Sequence, residues 1–376
     1  MAKKKTARLA DIIGLINHLC PPDLAEDWDN VGLQVGDPEA KIDKILVCLD
    51  AEEIAIQEAH RQGAQLIVSH HPLIFRPIKH LSPTDMTGRV LFQAIKQDIA
   101  VVSAHTNLDR AADGLNDWLA DRLGVKDPVP LEPPETEHFY KLVVYVPQGH
   151  EIEVRDAIFA AGAGHIGAYD HCSFSSRGTG TFRGSQGTQP FIGTPGKIVA
   201  TEEVRLETIV SVSALNKAVS RMLKAHPYEE VAYDLILLAN ERQDVGLGRI
   251  GQLEISISLQ QFAEQVKAAL QLSSLKLVGD LQQQITRVAV CGGTGMSMFS
   301  AAVRYGADCL VTADIKFHEA QRARAEGVTL IDASHFATEQ IMVAELSSRL
   351  RTVCSERQFE VEIIEMTAEE DPLVVF

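Results

Sequence analysis

The chain has few cysteines, and none of them are paired at the spacing that binds metal. Six cysteines are scattered over 376 residues, and no Cys-x-x-Cys occurs. Thiolate zinc sites and the disulfide frameworks of small secreted domains both depend on closely spaced cysteines. The pattern therefore argues against a thiolate metal cluster and against a disulfide framework, and it predicts a reducing, cytoplasmic environment.

Long apolar runs are also missing. No window reaches the roughly 18 uninterrupted apolar residues of a membrane-spanning helix. The three lysines at positions 3–5 resemble the basic start of a signal peptide, but the apolar residues that follow recur at helical spacing with polar residues between them. We therefore expect an amphipathic first helix in a soluble protein that does not contact a membrane.

Basic residues are in short supply. The chain has 35 Lys and Arg against 51 Asp and Glu, which gives a formal net charge of −16. This balance repels a phosphate backbone and leaves no basic stripe for non-specific binding. We therefore expect no direct nucleic-acid binding. A small anionic ligand held by a metal ion stays compatible with the sequence, because net charge does not describe a pocket.

The chain is predicted to have three parts. A single hydrophobic core rarely includes as many as 376 residues. The proline-rich segment Lys126–Glu135 is predicted to be a linker, because prolines continue neither a helix nor a central strand. The glycine-bearing segment Asn240–Gly251 marks a second boundary. We predict a first α/β half at 1–130, an insert at 131–245 and a second α/β half at 246–376.

The insert shows the order strand, helix, one or two strands, helix, strand, which is the split βαβ pattern of ferredoxin-like domains. These elements are predicted at 141–146, 151–161, 168–182, 203–210, 213–225 and 231–238. The segment His226–Tyr233, which opens the last strand, resembles a segment of the PII and divalent-cation-tolerance proteins. The resemblance implies their fold and no ligand, because their nucleotide-binding loops cannot be recognised in this sequence.

Each flanking half contains three short β-rich runs separated by helical patterns. The runs lie at 45–50, 65–70, 99–105, 288–293, 309–314 and 328–335. Apolar runs of this length that alternate with helices indicate parallel strands buried on both faces. We therefore predict an α/β fold in which two similar halves form one composite domain that the ferredoxin-like α+β insert interrupts.

Imidazole and carboxylate side chains stand at the ends of three of these runs. They are His70, His71, His105, Asp109, His335 and Glu339. Each pair taken alone has an ordinary explanation as a helix cap, a packing residue or a solvated helical pair. Open α/β sheets bind ligands at the carboxyl ends of their strands, so one fold would bring all three pairs together. The coincidence predicts a metal site.

The donors outnumber the three protein ligands of a mononuclear catalytic zinc site. Either some of these side chains hydrogen-bond to the ligands without binding metal themselves, or two ions share a bridging carboxylate. We favour two ions. In that arrangement His70 and Asp109 hold one ion and His71 and His335 hold the other. Glu339 is then the bridge between the ions.

His105 is left as a hydrogen-bond partner of a ligand rather than a ligand itself. A set of imidazoles and carboxylates without thiolate suits zinc, iron, manganese, cobalt or nickel, and it does not choose among them. We therefore expect two divalent metal ions per chain.

A glycine motif, Gly292-Gly-Thr-Gly295, lies between a predicted strand and a predicted helix. Backbone amides in such a turn can hold a phosphate or another anion, which makes Gly292, Gly293 and Gly295 candidates for anion binding. The Lys-Ser/Thr of a P-loop is missing, however, and such glycines often serve only a tight turn.

Together these motifs resemble those of the Nif-three-like family, whose members are often titled GTP cyclohydrolase 1 type 2 homologue. The matching segments are 26–33, 69–72, 105–109, 292–295, 312–314 and 335–339. One departure is Ala313, where many members have glycine. The inserted domain is similar to that of the longer bacterial members.

The resemblance implies a dinuclear metal centre inside a toroidal homohexamer built from trimers. The residues that match the family's metal ligands are His70, His71, Asp109, His335 and Glu339. The residues and the resemblance therefore select the same five positions.

Two functions are compatible with this sequence. The first is a metal-dependent hydrolase of a nucleotide-like or other small anionic molecule, because paired ions activate water and polarise a substrate oxygen. The family title would make the substrate GTP, with water attacking the imidazole carbon of guanine. The second is a non-catalytic metal-handling or interaction protein in which the ions join the two halves. No pattern in the sequence identifies a catalytic acid or base.

Overall fold

In the computed structural model, residues 5–133, 138–167, 169–242 and 244–374 are described. The chain forms two compact units, of which one comprises 1–134 with 243–376 and the other 135–242. All six cysteines are free, and five of them are buried. Within the described ranges, none of the helices is both long and apolar enough to cross a membrane.

The secondary structure consists of short strands and helices. The strands are β1 Ala7–Arg8, β2 Gly32–Val35, β3 Lys41–Ile42, β4 Lys44–Cys48, β5 Leu66–Ser69, β6 Ala100–Ser103, β7 Lys126–Glu132, β8 His138–Pro147, β9 Ser173–Phe182, β10 Val199–Ser211, β11 Tyr233–Glu241, β12 Leu247–Ser258, β13 Lys276–Val278, β14 Gln284–Val290, β15 Cys309–Thr312, β16 Thr329–Asp332 and β17 Glu362–Glu365. The helices are α1 Leu9–Leu19, α2 Glu53–Gln62, α3 Met86–Lys96, α4 Thr106–Arg110, α5 Leu115–Arg122, α6 Glu151–Phe159, α7 Val212–Ala225, α8 Leu259–Ala269, α9 Phe299–Arg304, α10 Phe317–Glu326, α11 His335–Glu339 and α12 Ile341–Glu356.

A five-stranded sheet of the first unit has the order β17-β4-β5-β6-β2. The first four strands are parallel and β2 is antiparallel to β6. Every residue of β5 and β6 is buried, as the apolar runs predicted. Because Ser69 at the end of β5 pairs with Ser103 at the end of β6, the residues that follow these strands leave the sheet at one edge.

A six-stranded sheet of the same unit has the order β13-β16-β15-β14-β12-β7. Strands β14, β15 and β16 are parallel, and the others pair antiparallel. The apolar runs of the second half therefore form the centre of this sheet, with antiparallel strands on both sides. The protein is thus a mixed α/β structure with several sheets.

The prediction that the proline-rich segment is a linker was wrong for Lys126–Glu132, which is strand β7. Its Pro130 pairs with Arg249 of β12, and β7 is the last strand of its sheet. An edge strand has backbone groups on one side that need no partner, so it accepts proline where a central strand does not. Residues Pro134 and Glu135, at the end of the predicted linker, lie outside the described residues.

Each of the two large sheets contains strands from both sides of the insert. Strand β7 precedes the insert and joins the six-stranded sheet, while β17 follows the insert and pairs with β4 of the five-stranded sheet. One apolar cluster contains Val68 and Val102 from one sheet and Val290, Val311 and Ile331 from the other. The two sheets therefore share a core.

The second unit is an antiparallel sheet of order β11-β8-β10-β9 with helices α6 and α7. Its core is formed by Leu142 and Val144 of β8 together with Ile158 of α6 and Met222 of α7. The strands and helices predicted for the insert are found here, with shifted ends. Ala168, where the strand before β10 was predicted to begin, lies outside the described residues, and β9 begins at Ser173.

Candidate metal centre

His70 and His71 lie directly beyond β5, where the chain turns away from the sheet. The backbone amides of both residues donate to the carbonyl of Leu49, at 3.1 and 3.0 Å, which fixes the turn against the end of β4. On the other side, the amide of Ala104 donates to the carbonyl of Ser69 at 2.9 Å. The two imidazoles are thus placed by main-chain hydrogen bonds to both neighbouring strands.

His335 and Glu339 lie on the short helix α11, which follows β16. Ser334 caps this helix, since its hydroxyl accepts from the amide of Ala337, and it donates to Asp371 near the end of the chain at 2.5 Å. The helix places His335 Nε2 3.0 Å from Glu339 Oε2, one turn apart as the spacing predicted.

The Glu339 carboxylate lies between two groups of donors. Its Oε2 is 3.0 Å from the Nε2 atoms of both His71 and His335. Its Oε1 is 3.9 Å from His70 Nε2, which in turn is 3.6 Å from Asp109 Oδ1. The five residues predicted as ligands therefore come together from both large sheets, with the glutamate in the middle.

His105, predicted to support a ligand from behind, faces the same space. One ring nitrogen each from His70, His71 and His105 lies within 4.8 Å of the others, a spacing that suits a metal ion. A second such group consists of His71, His335 and Glu339. His105 is therefore close enough to His70 and His71 to hold a metal ion together with them.

Each of the four imidazoles is held by a hydrogen bond at Nδ1. The partners are the carbonyl of Ala104 for His70 at 2.8 Å, Asp50 for His71 at 2.8 Å, Asp29 for His105 at 3.0 Å and Asp314 for His335 at 2.7 Å. Metal-binding histidines in proteins commonly donate their second N–H to a carboxylate or carbonyl, which fixes the ring and leaves the other nitrogen for the metal. The arrangement presents four Nε2 atoms to the cluster.

Sequence reasoning gave no role to these carboxylate partners. Asp50 and Asp314 each follow a strand, β4 and β15, by two residues. A carboxylate just beyond the end of a buried parallel strand, next to a strand that ends in histidine, is the signal that could have found them.

Two atoms of the cluster are buried without a hydrogen-bond partner. They are His70 Nε2 and Asp109 Oδ1. A buried polar atom without a partner costs about 1–3 kcal/mol. A cation bound to both atoms would satisfy them, so the donor set fits a metal ion.

Burial also shifts the charge of this pair. It lowers the pKa of His70 to about 3 and raises the pKa of Asp109 to about 7. The imidazole is therefore neutral at pH 7, the form that binds a metal ion.

The other side of the cluster is charged. Burial would lower the pKa of His71, but hydrogen bonds to Asp50 and Glu339 raise it to about 10. The hydrogen bond to Glu339 raises the pKa of His335 to about 9. Burial opposes ionisation of Glu339, yet these two imidazoles hold the pKa of its carboxyl well below the usual range. The protonated imidazoles of His71 and His335 thus compensate the negative charge of Glu339. A bound metal ion would compensate the same charge.

The glycine motif does not provide free amides for an anion. The amide of Gly292 donates to Asn116 Oδ1 at 2.9 Å, and the amide of Gly293 donates to Thr338 Oγ1 at 3.0 Å. The amide of Gly295 donates to Thr312 Oγ1 at 2.8 Å. The structure therefore does not support the predicted anion cradle, because each of its three donors is already paired inside the protein.

The motif instead brings the backbone against the Glu339 carboxylate. Gly293 has φ +58°, and a Cβ atom there would lie 2.1 Å from Glu339 Oε1. Gly293→Ala is expected to displace that carboxylate and to lower metal affinity at least about tenfold, the effect of disturbing a ligand's support. Metal titration monitored by calorimetry measures the change.

Gly306→Ala is the matched control for this substitution. Gly306 has a similar φ of +70°, but a Cβ atom there would meet nothing within 4 Å. Both variants carry the same backbone penalty, so the difference between them isolates the contact with Glu339. Equal metal affinity in the two variants would contradict the proposed role of Gly293.

Residues 7–372 match the family model described as Duf34/NIF3 (NGG1p interacting factor 3). Proteins called GTP cyclohydrolase 1 type 2 homolog are similar over nearly the whole chain. One from Halalkalibacterium halodurans is 43% identical, with 98% of this chain and 99% of that protein covered. One from Bacillus subtilis is 40% identical, with 98% of each covered.

Solved structures show the same similarity. A Bacillus cereus protein described as related to NIF3 superimposes with a TM-score of 0.90 at 39% identity, covering 100% of both chains. A Staphylococcus aureus protein superimposes with a TM-score of 0.78 at 30% identity, covering 98% of this chain and 99% of its own.

Proposed function

The chain belongs to the Duf34/NIF3 family, as its motifs predicted, and we propose that it is a dinuclear metal-dependent hydrolase of a nucleotide-like or other small anionic molecule. The observation that carries the proposal is the position of Glu339. Its two carboxylate oxygens face different donor groups, as a ligand shared by two ions would. Relatives of this chain carry the name GTP cyclohydrolase 1 type 2 homolog, and GTP is a nucleotide, which is consistent with this substrate class.

The candidate ligands would divide between two ions. One ion would be held by His70, Asp109 and His105, the other by His71 and His335, and Glu339 would be common to both. The orphaned atoms of His70 and Asp109 support the first group, and the close contacts of Glu339 support the second. Oxygen and imidazole donors without thiolate suit zinc, iron, manganese, cobalt or nickel.

Bound ions of this kind would lower the pKa of water and polarise a substrate oxygen. The protein's own contribution is to orient the ligands and to leave one side open. His70 is fully buried, whereas His335 is 37% exposed, so a substrate approaches from the side of α11. Asp50 and Asp314 keep the exposed imidazoles in place during that approach.

A cleft of about 380 Å³ lies next to the cluster and is lined by His71, Asp50, Glu52, Glu53 and Met86 among others. Its carboxylates repel an anion unless cations are present. We therefore expect a phosphate-bearing substrate to bind only to the metal-loaded protein.

A second function is favoured by the origin of the ligands. Four of the candidate donors follow strands of the five-stranded sheet, and two lie on α11 after the six-stranded sheet. Ions held between them would join the sheets, so the metal could serve stability or a regulatory interaction without catalysis. In that case the ions would raise the melting temperature strongly and exchange slowly, and no product would form.

Metal content and turnover test the proposal together. Inductively coupled plasma mass spectrometry of the purified protein is expected to give close to two divalent ions per chain. Nucleotide hydrolysis, followed by chromatography, is expected to be lost in His335→Ala and kept in His60→Ala, which removes an exposed imidazole of α2. Two bound ions without turnover of any nucleotide would favour the non-catalytic function, and turnover that persists in His335→Ala would overturn the proposed site.

Metal binding is expected to strengthen as the pH rises. His71 and His335 are protonated at neutral pH because of their raised pKa values of about 10 and about 9, and each must lose its proton to bind metal. At a pH below these pKa values, the metal affinity falls about tenfold for each displaced proton with every unit by which the pH decreases. Calorimetry between about pH 6 and about pH 8, in buffers of different ionisation enthalpy, is expected to show proton release on binding. Affinity independent of pH would contradict metal binding by these imidazoles.

The finer architecture and the assembly form part of the same proposal. We infer that unit 135–242 is a ferredoxin-like insert, because its strands have the order of a split βαβ domain, and that the flanking segments are two similar α/β halves. We further propose a cytoplasmic homo-oligomer, a hexamer built from trimers. Light scattering coupled to size-exclusion chromatography is expected to give six chains, and a monomer would overturn the assembly without affecting the metal site.

A further inference from the structure

Two large aromatic side chains, Trp28 and Phe75, stand exposed beside the metal centre. Trp28 is 59% exposed and Phe75 is 49% exposed. Their rings contact each other edge to face, with centroids 5.8 Å apart. Exposed aromatic pairs of this kind mark binding surfaces more often than isolated apolar residues do, because both rings would gain from being covered.

The pair is coupled to the cluster through the chain itself. The Trp28 ring lies 6.1 Å from the His105 ring, centroid to centroid. The next residue, Asp29, holds His105 Nδ1 at 3.0 Å and also accepts a hydrogen bond from the amide of Thr106 at 3.1 Å. A molecule that contacts Trp28 would therefore lie near the His105 imidazole of the cluster.

Hydrogen bonds tie the segment that carries Trp28 to the segment that carries Phe75. Asn30 donates from its side chain to the carbonyl of Ile74 at 2.6 Å, and the amide of Ile74 donates to Gln34 Oε1 at 3.2 Å. The side chains of Asn30 and Gln34 are themselves hydrogen bonded at 3.1 Å. Both rings thus stand on backbone that is already held in place, which lowers the entropic cost of binding a ligand.

We propose that Trp28 and Phe75 form a stacking platform for the purine base of a nucleotide substrate whose polar end reaches the metal centre. The location of that polar end rests on the proposed function, whereas the platform itself does not. A flat heteroaromatic ring suits the platform because indole and phenyl rings favour stacked and edge contacts with other π-systems. Stacking also tolerates different bases, since every base has a π-face.

Tryptophan fluorescence gives a direct test. The chain has two tryptophans, and Trp118 is buried against the guanidinium of Arg349, 4.5 Å from its ring centroid. In a Trp118→Phe background the emission comes from Trp28 alone. Guanosine 5′-monophosphate is expected to quench that emission saturably, in protein loaded with manganese or zinc, while ribose 5-phosphate leaves it unchanged.

Substitutions measure the contribution of each ring. Calorimetric titration with guanosine 5′-monophosphate is expected to show affinity about tenfold weaker for Trp28→Leu and for Phe75→Leu. Trp28→Phe, which keeps an aromatic face, is expected to retain most of the affinity. Tyr305→Leu, which removes an exposed aromatic ring at the end of α9, is the control and is expected to change nothing.

Metal content measured in the same variants separates this proposal from the proposed function. It is expected to stay unchanged in Trp28→Leu. Two ions per chain with no binding of guanosine 5′-monophosphate at millimolar concentration, or with binding indifferent to both leucine substitutions, would overturn the platform and leave the metal centre standing. Trp28-dependent binding by a protein that takes up no metal would support the platform and overturn the metal centre. Acrylamide quenching of Trp28 in the absence of nucleotide is a further control. Quenching that is weak, and weaker still at higher protein concentration, would show that a second chain covers the rings, and it would overturn the platform.

Discussion

Glu339→Gln is expected to remove both metal ions, lowering the metal content from close to two per chain to close to zero. The carboxylate is placed with one oxygen toward each donor group, through Oε1 toward His70 and through Oε2 toward His71 and His335. The amide keeps the size of the side chain but loses the negative charge and one of the two acceptor oxygens. The loss of affinity should exceed about a hundredfold, more than the 10–100-fold effect of removing a partner behind a ligand. Mass spectrometry of metal content after equilibrium dialysis measures it.

Two further variants sharpen this experiment. Glu356→Gln changes an exposed carboxylate at the end of α12 and is expected to leave both ions bound. Asp314→Asn weakens the hydrogen bonds of the side chain to His335 and to Thr294, touches no other imidazole of the cluster, and is expected to weaken one ion and to spare the other. If Glu339→Gln lost one ion and kept the other at full affinity, the carboxylate would not be a bridge and the two ions would have separate ligand sets.

Asp117→Ala is expected to destabilise the first unit by about 3–5 kcal/mol. Arg249, which is 1% exposed, makes two hydrogen bonds to the Asp117 carboxylate, from Nε at 2.6 Å and from Nη2 at 2.7 Å. Its remaining N–H groups donate to carbonyls that include those of Gly246 and Ala111. Removal of the carboxylate leaves a buried guanidinium charge without its counter-ion.

Tryptophan fluorescence during urea denaturation measures this loss selectively. Both tryptophans, Trp28 and Trp118, belong to the first unit, so their emission follows its unfolding and not that of the insert. Asp121→Ala, an exposed position on the same helix, controls for the change of helix propensity. A midpoint for Asp117→Ala no lower than that of Asp121→Ala would show that the buried ion pair contributes no net stability.

The positions of the donors could be predicted because buried parallel strands have a simple sequence pattern. Short apolar runs predicted the ends of β5, β6 and β16 to within three residues, and a polar residue directly after such a run must lie at one edge of the sheet. His70, His71 and His335 were found by this rule alone. The spacing of His335 and Glu339 then required only the helical repeat.

The support behind the donors could not be predicted, because it depends on which strands are neighbours. Asp50 reaches His71 since β4 and β5 pair with Cys48 opposite Ser69. Nothing local in the sequence records that register. The same holds for β7, whose prolines indicated a linker and whose strand pairing with β12 is fixed only by tertiary structure. The hydrogen bonds of the glycine motif are also long-range, because the amides of Gly292 and Gly293 donate to Asn116 and Thr338, which are distant in sequence.

The exchange of edge strands across the insert has a consequence for the integrity of the protein after cleavage. A chain cut within 135–242 yields one fragment that carries β7 without the rest of its sheet and another that carries β17 without β4. The first fragment holds His70 and Asp109, and the second holds His335 and Glu339, so neither has the complete set of proposed ligands. Under the proposed function, a cut chain would therefore bind both ions only while its two pieces stay associated.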